Sequence, residues 1–362
     1  MEWVWSTEIL LLGLSGIDMK KENVKLTEYT KGGGCGCKIP PSALAEILAD
    51  HKTGGANGLL VGNSSGDDCA VLEIGSDRLL ISTTDFFTPI VDDPYDFGRI
   101  AAANSISDIY SMGGTPVLAI SILAWPLEKL DASVASEVMR GAREVCSEAG
   151  ILIGGGHSIE NPEPVFGLSV NGLLNRFQLK QNNTANPGDL LYLTKPIGSG
   201  ILSTALKRGL FPDEQQQELI SRMSELNSIG RQFGDIESVT AMTDLTGFGL
   251  LGHISEMCDS GRVSVVISYS DVPFMTGVLE LAGKMVYPDN TMRNWNTFGE
   301  QVLGISGESL LTLCDPQTNG GLLVAVKPDS REMIEAFCRK EDQFFKLIGH
   351  FVEPMNKLIQ II

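Results

Sequence analysis

Residues 31–40 of the chain carry the segment Lys-Gly-Gly-Gly-Cys-Gly-Cys-Lys-Ile-Pro. Glycine lacks a Cβ atom and weakens both helices and strands, so the segment predicts a mobile loop. Lys38 lies beside the two thiols and favours the thiolate, which is the nucleophilic form of cysteine. The segment therefore predicts a reactive thiol loop, with a flexible linker that happens to carry cysteines as the alternative. A zinc site is disfavoured, because Cys35 and Cys37 are spaced more tightly than usual zinc ligands and no second close pair exists.

The composition of the whole chain limits the classes of protein to which it can belong. A length of 362 residues is long for one hydrophobic core and predicts two domains. The 40 glycines predict many tight turns and close approaches of backbone to ligand. A net charge of −18 argues against a nucleic-acid partner, although divalent cations allow an acidic enzyme to bind a polyanion. Seven cysteines are an odd number and do not suggest a disulfide framework, so we expect a reducing, cytoplasmic compartment.

The start of the chain carries a short apolar run, Ile9–Leu14. No Lys or Arg precedes Lys20, so the basic region of a signal peptide is missing, and the run is too short to cross a bilayer. We therefore expect residues 1–25 to be an N-terminal extension outside the fold, and no membrane association. The polar stretch 175–188 predicts the boundary between a first domain, residues 26–175, and a second, α+β domain, residues 189–362.

Aspartates follow apolar, strand-like runs in the first half of the chain. Asp67 and Asp68 come after the run at 59–61, and Asp85 closes the run that begins at Arg78. Adjacent strand residues point to opposite faces, so Asp67 and Asp68 are expected to do different jobs. Carboxylates grouped in this way suit Mg²⁺, which takes carboxylate and phosphate oxygens. For any one of them, turn formation or helix capping is the alternative.

Three further segments carry polar residues at positions that suggest contact with a ligand. Asn104 and Asp108 are one turn apart on a predicted helix rich in small residues, which suggests a stripe that faces a ligand. Residues 117–123 are predicted to form a buried strand. Residues 151–158 are predicted to form a strand that runs into a triple-glycine turn, whose backbone N–H groups can bind phosphate. His157 alone is equally consistent with a structural hydrogen bond. Thr243-Asp244 precedes a glycine turn, as Thr84-Asp85 ends the earlier run, so the two halves could be related in build.

Six segments of the chain together resemble the selenophosphate synthetases, or selenide, water dikinases, from about Leu26 to the C-terminus. They are Gly34–Ile39, Asp67–Val71, Ser82–Phe87, Gly155–Ser158, Thr243–Gly249 and Cys314–Thr318. The Gly-Cys-Gly-Cys-Lys loop is the most specific, because related nucleotide enzymes lack it. The resemblance implies the two-domain fold of the aminoimidazole ribonucleotide synthetases, α/β plus α+β, with N-terminal domains paired across a homodimer. It also implies synthesis of selenophosphate, AMP and orthophosphate from ATP, selenide and water, with Mg²⁺ and a monovalent cation such as K⁺.

The resemblance also assigns roles to individual residues. It implies that Cys35 is catalytic and handles selenium, and that Lys38 acts beside the phosphates. The expected Mg²⁺ ligands are Asp68, Asp108 and Asp244. The expected nucleotide contacts within one subunit are Lys38, Ser65, Gly66, Asp67, Asp85 and Asp108, and those from the dimer partner are Gly156, His157 and Ser158.

Two other functions compete with this one. A different enzyme of the same superfamily, such as an amidine-forming synthetase or a thiamine-phosphate kinase, would keep the aspartates and glycine turns but give the thiol loop no task. A thiol-based carrier of metal or selenium would use the thiols without turning over a nucleotide.

Overall fold

Two β-sheets organise the part of the chain that the computed structural model describes, which is residues 24–30, 32–34, 39, 46–47, 58–62, 69–210, 213–258 and 261–362. Several predictions fall outside these residues: those on the tail 1–23, and those on Cys35, Cys37, Lys38, Ser65, Gly66, Asp67 and Asp68.

The first half of the chain builds a six-stranded sheet with two long helices. Its elements in chain order are β1 (Leu59–Val61), β2 (Ala70–Glu73), β3 (Arg78–Phe87), α1 (Pro94–Ser111), β4 (Thr115–Trp125), α2 (Ala132–Glu148), β5 (Ile153–Glu160) and β6 (Val165–Asn175). The strand order is β1-β2-β3-β6-β4-β5, antiparallel except for the parallel pair β4 and β5. This arrangement leaves β5 at one edge of the sheet.

The second half builds a seven-stranded mixed sheet surrounded by helices. Its elements are β7 (Leu190–Leu193), α3 (Ser199–Lys207), α4 (Asp213–Ser224), α5 (Ile229–Gly234), β8 (Val239–Asp244), α6 (Gly249–Cys258), β9 (Ser264–Ile267), α7 (Val278–Gly283), α8 (Asp289–Phe298), β10 (Val302–Leu303), α9 (Gly307–Leu313), β11 (Leu322–Val326), α10 (Arg331–Lys340), β12 (Lys346–Val352) and β13 (Ile359–Ile361). The strand order is β10-β13-β9-β12-β7-β11-β8.

Helix α1 is the central element that joins the two halves. Asp93 caps its start by accepting a hydrogen bond from the Asp96 N–H, and a proline occupies the first turn. Gly98 lets α1 approach α2 closely, because a Cβ there would lie 1.9 Å from the Val138 carbonyl oxygen. Its other sides pack on β3, β6, α4 and β8, so nearly every residue after Asp96 is buried. A helix covered on all sides needs no polar face, which explains its weak amphipathic pattern.

The structure corrects two of the predictions made from the pattern of residues. The glycines 154–156 lie inside strand β5 and do not form a turn, because glycine at 156 allows close contact with β4: a Cβ there would lie 2.3 Å from the Ser121 carbonyl oxygen. The strand at 117–123 is confirmed but is not fully buried, since Val117, Leu118 and Ile120 are each more than 40% exposed.

Among the described helices, none is both long and apolar enough to span a membrane.

Candidate active site

A chain of hydrogen bonds through Asn104 joins strand β3 to a loop of the second half. The Asn104 side-chain N–H donates to Asp85 Oδ2 at 2.6 Å, and its oxygen accepts from the Asn319 backbone N–H at 2.7 Å. Asn104 is fully buried. Both ends of its amide are therefore used within the protein, and its task is to hold Asp85 and the Asn319 loop together. The expectation that Asn104 faces a ligand is corrected in this respect.

A second hydrogen bond fixes Asp108 against the same strand. The Thr83 hydroxyl donates to Asp108 Oδ2. Thr83 and Asp85 point to one side of β3, and Asn104 and Asp108 are one helical turn apart on α1, so the two bonds run side by side. This ladder places the carboxyl groups of Asp85 and Asp108 roughly one helical turn, about 5–7 Å, from each other. The structure thus brings two of the predicted site residues together.

The third predicted carboxylate, Asp244, reaches the same region from the second half. It ends strand β8, is 1% exposed and lies beside Leu322 of β11. The following residue, Leu245, is bonded through its backbone to both Gly320 and Gly321. These glycines directly follow Asn319, the residue that meets Asn104. Asp244 therefore lies at the junction of the two halves, on strand β8, which packs against α1, the helix that carries Asn104 and Asp108.

Asn319 and Lys195 hold this junction rigid, and neither was among the residues predicted for the site. Asn319 adopts a left-handed backbone with φ of 47°, and its side chain donates to the Met223 carbonyl oxygen at 2.6 Å. The Lys195 ammonium donates to the carbonyl oxygens of Glu225 at 2.7 Å and Asn319 at 3.2 Å. Burial lowers the pKa of Lys195 to about 8, although the negative charges of Glu225 and Asp244 raise that pKa. Asn319 occurs in an Asn-Gly-Gly sequence that indicates a left-handed turn, but nothing in the sequence indicates its partner.

A buried acid stabilises the same loop from the other side. Asp315 accepts the Gly200 backbone N–H at 3.1 Å at the start of α3 and the Gln317 side-chain N–H at 2.9 Å. Burial raises the pKa of Asp315 to about 8, although these hydrogen bonds lower it. The loop that presents Asn319 is thereby pinned to the start of α3.

The chemistry of these groups suits a hard cation bound with phosphate. Asp108 and Asp244 are buried carboxylates at one junction, and Mg²⁺ takes such oxygens together with substrate phosphates. Within the described ranges, no group of three His, Cys, Asp or Glu side chains is close enough to hold a metal by itself. A complete Mg²⁺ site therefore needs donors beyond these residues, and the predicted third ligand, Asp68, lies outside the described part of the chain.

The predicted partner-side residues lie elsewhere in the sheet. Gly156, His157 and Ser158 are exposed on edge strand β5. Strands β6 and β4 separate β5 from β3, which at the usual spacing places them about 14 Å from Asp85. Within one chain the structure does not bring these residues to the carboxylates.

Residues 32–34, which lead into the thiol loop and are called its stem, are anchored close to the junction of the two halves. The Gly34 N–H donates to the Thr88 carbonyl oxygen at 3.0 Å, just beyond the end of β3. Gly34 has a φ of 60°, and a Cβ there would lie 2.4 Å from the Thr318 hydroxyl, so only glycine fits. Thr318 directly precedes Asn319. Cys35 therefore follows a fixed point beside the loop that holds Asn104.

Comparison with known proteins matches this architecture to one family. The family model "AIR synthase related protein, N-terminal domain" matches residues 66–174, and its C-terminal counterpart matches residues 186–359. A protein of Colwellia psychrerythraea named selenide, water dikinase is 50% identical over 341 residues, which is 94% of this chain and 99% of that protein. The chain belongs to the selenide, water dikinase family. The resemblance seen in the motifs, and the two-domain fold it implied, are both confirmed.

Solved structures of other enzymes share only the fold with this selenide, water dikinase family member. Thiamine-monophosphate kinase from Stenotrophomonas maltophilia is 16% identical, with a TM-score of 0.61 over 90% of this chain and 96% of its own. The hydrogenase maturation protein HypE in complex with ATP is 17% identical, with a TM-score of 0.59 over 91% of this chain and 90% of its own. Homodimer pairing and the residue roles stay predictions.

Proposed function

We propose that this enzyme makes selenophosphate from ATP, selenide and water and releases AMP and orthophosphate. The observation that carries the proposal is the 50% identity, over nearly the whole of both chains, to a protein named selenide, water dikinase. The thiol segment 34–38 agrees with it, because selenide is a soft, thiol-like substrate and a cysteine is a suitable group to handle it. Neither a thiamine-phosphate kinase nor an amidine-forming synthetase would use that segment.

The carboxylates at the junction support a Mg²⁺–ATP site. HypE, which shares the fold, is known in complex with ATP. We propose that Asp68, Asp108 and Asp244 hold Mg²⁺, which neutralises phosphate charge, and that Asp85 and Asp108 contact the nucleotide with Lys38, Ser65, Gly66 and Asp67. In this arrangement Asn104 keeps Asp85 in a fixed orientation, so that the carboxylate does not have to reorganise when the nucleotide binds. A monovalent cation such as K⁺ is a further proposal.

We propose that Cys35 performs the thiol chemistry and that Lys38 neutralises the charge on the transferred phosphoryl group. Phosphoryl transfer depends mainly on positioning and on neutralising charge over the phosphoryl oxygens. The fixed backbone at Gly34 starts the thiol segment next to Thr318, and therefore near the Asp85–Asn104 contact. Cys35 in this scheme delivers selenium and does not accept the phosphoryl group. Cys37 has no assigned role.

A homodimer completes the proposed nucleotide site. Gly156, His157 and Ser158 are too far from Asp85 to join it within one chain, and they lie on an edge strand that a partner can approach. The sheet also exposes large apolar side chains near that edge, among them Val117, Leu118, Ile120 and Ile159. Exposed apolar surface of this kind is typical of an interface between proteins.

We also propose that the enzyme works in the cytoplasm.

Selenide-dependent formation of AMP tests the proposal. Purified protein with ATP and Mg²⁺ is expected to release AMP only when selenide is added, and Cys35→Ser is expected to abolish this release. Cys338→Ala is the matched control, because Cys338 is buried in the second half and away from the junction. Full activity of Cys35→Ser would favour another enzyme of the superfamily, and selenide binding without AMP formation would favour a carrier.

A further inference from the structure

A cleft of about 510 Å³ lies between the stem of the thiol loop and the second half of the chain. Gly32 and Gly33 form one side of it, and the opposite side comes from α3 and α8. None of the carboxylates at the junction, Asp85, Asp108 or Asp244, is among the described residues that line it. Within the described ranges, the cleft adjoins the candidate active site through the thiol-loop stem without including these carboxylates.

Positive charge dominates this cleft. Its described lining residues include the cations Lys207 and Arg208 at the end of α3 and Arg293 of α8, and one carboxylate, that of Asp289. None of the three cations forms an ion pair with a carboxylate in the described ranges, and all three are exposed. A concentration of unpaired cations is unusual on a chain whose net charge is −18. Such a cleft attracts anions.

The donors in the cleft are better suited to an oxyanion than to a spherical anion. Lys207 is oriented by its hydrogen bond to the Thr30 carbonyl oxygen at 2.9 Å, next to the thiol-loop stem. Among the described residues, Arg208 donates to the Tyr287 carbonyl oxygen alone, in a long contact of 3.4 Å, which leaves most of its fork of N–H groups for a ligand. Guanidinium forks bind phosphate oxygens in pairs. The half-buried hydroxyl groups of Ser203 and Thr204 add further polar atoms to the wall.

We propose that this cleft is a binding site for a tetrahedral phosphorus oxyanion, distinct from the Mg²⁺–ATP site. The source of the anion rests on the proposed function, since that reaction releases two anions of this chemistry, orthophosphate and selenophosphate. Selenide itself fits less well, because a monoanion without oxygen atoms cannot accept a pair of hydrogen bonds from a guanidinium fork. The site holds one of the products next to the stem of the thiol loop.

Calorimetric titration of the full-length protein with orthophosphate, in the presence of EDTA and without ATP, tests the proposal. The variant Arg208→Gln/Arg293→Gln removes two exposed charges and keeps Lys207 with its contact to Thr30. We expect it to bind phosphate at least about tenfold more weakly than the wild type, because it loses two guanidinium groups that donate charge-assisted hydrogen bonds to the anion. Arg339→Gln, on the exposed face of α10, is the matched control and is expected to bind like the wild type.

A second titration with monothiophosphate separates the two sources. Tighter binding of monothiophosphate, in which a soft atom replaces one oxygen, assigns the cleft to selenophosphate, whereas tighter binding of orthophosphate assigns it to orthophosphate. Absence of binding to the wild type, or equal affinity in the double variant, would overturn the proposal. It would also be overturned if the double variant lost affinity for an ATP analogue in parallel, since the cleft would then belong to the nucleotide site. The titration needs no turnover, so failure of selenophosphate synthesis with phosphate binding intact would remove only the proposed function.

Discussion

The contact between Asn104 and Asp85 allows a quantitative test of the junction. Asn104→Asp keeps the size of the side chain and the oxygen that accepts the Asn319 N–H, but it replaces the donor to Asp85 by a second carboxylate. The wild-type bond is 2.6 Å long and buried at its Asn104 end. Loss of a hydrogen bond to a charged group costs about 1.5–3 kcal/mol, and repulsion between the carboxylates adds to this when both are ionised. We expect a loss of at least about 2 kcal/mol in the free energy of unfolding at pH 8.

The pH dependence of this variant gives its specific signature. Two carboxyl groups at hydrogen-bonding distance share a proton, so one of them has a pKa in the folded state above its unfolded value. That shared proton stabilises the fold at low pH, and the stabilisation disappears as the pH rises through the folded pKa. Urea unfolding of Asn104→Asp is therefore expected to show a much larger deficit relative to wild type at pH 8 than at pH 5. Asn296→Asp, on the exposed face of α8, is the control and should show no such difference. Wild-type stability of Asn104→Asp at pH 8 would refute the assigned contact.

Three further predictions follow from the same structure. Burial raises the pKa of Asp315 to about 8, so the stabilisation from its protonated carboxyl group is lost as the pH rises from about 4 to 8. The urea midpoint of Asp315→Asn should lack this dependence on pH. An equal pH dependence in the variant would contradict the prediction. Gly156→Ala should lose about 1–3 kcal/mol, because its Cβ would lie 2.3 Å from the Ser121 carbonyl oxygen, whereas Gly155→Ala, which meets nothing within 4 Å, should fold like the wild type. Asp244→Asn should abolish ATP turnover with an unchanged unfolding midpoint, and near-normal AMP release would remove Asp244 from the site.

The sequence predicted where strands and helices occur better than it predicted what surrounds each of them in the fold. The strand over 78–87 and helix α1 were predicted from apolar runs and small residues, and the structure confirms both. The sequence predicts a turn at glycines 154–156, because their use in a strand depends on the close approach of β4, and no local pattern indicates that contact. The exposed face of β4 was missed for the same reason, since apolar composition does not distinguish a core from a surface that awaits a partner.

The site was predictable only in part, and the limit is again set by contacts between distant residues. Asp85, Asp108 and Asp244 were predicted from strand ends, helix spacing and family motifs, and the structure brings them to one junction. The role of Asn104 was predicted only as a polar face, because its second partner, Asn319, is 215 positions away in the chain. Lys195 gave no signal, since its two acceptors are backbone carbonyls that any residue could supply.

Phosphorus NMR of the purified protein with ATP, Mg²⁺ and selenide tests the central claim most directly. The account predicts a new phosphorus resonance flanked by satellites from phosphorus–selenium coupling, which appears together with AMP and orthophosphate and is absent from Cys35→Ser. Formation of ADP or AMP without any phosphorus–selenium resonance from the wild-type enzyme would contradict it.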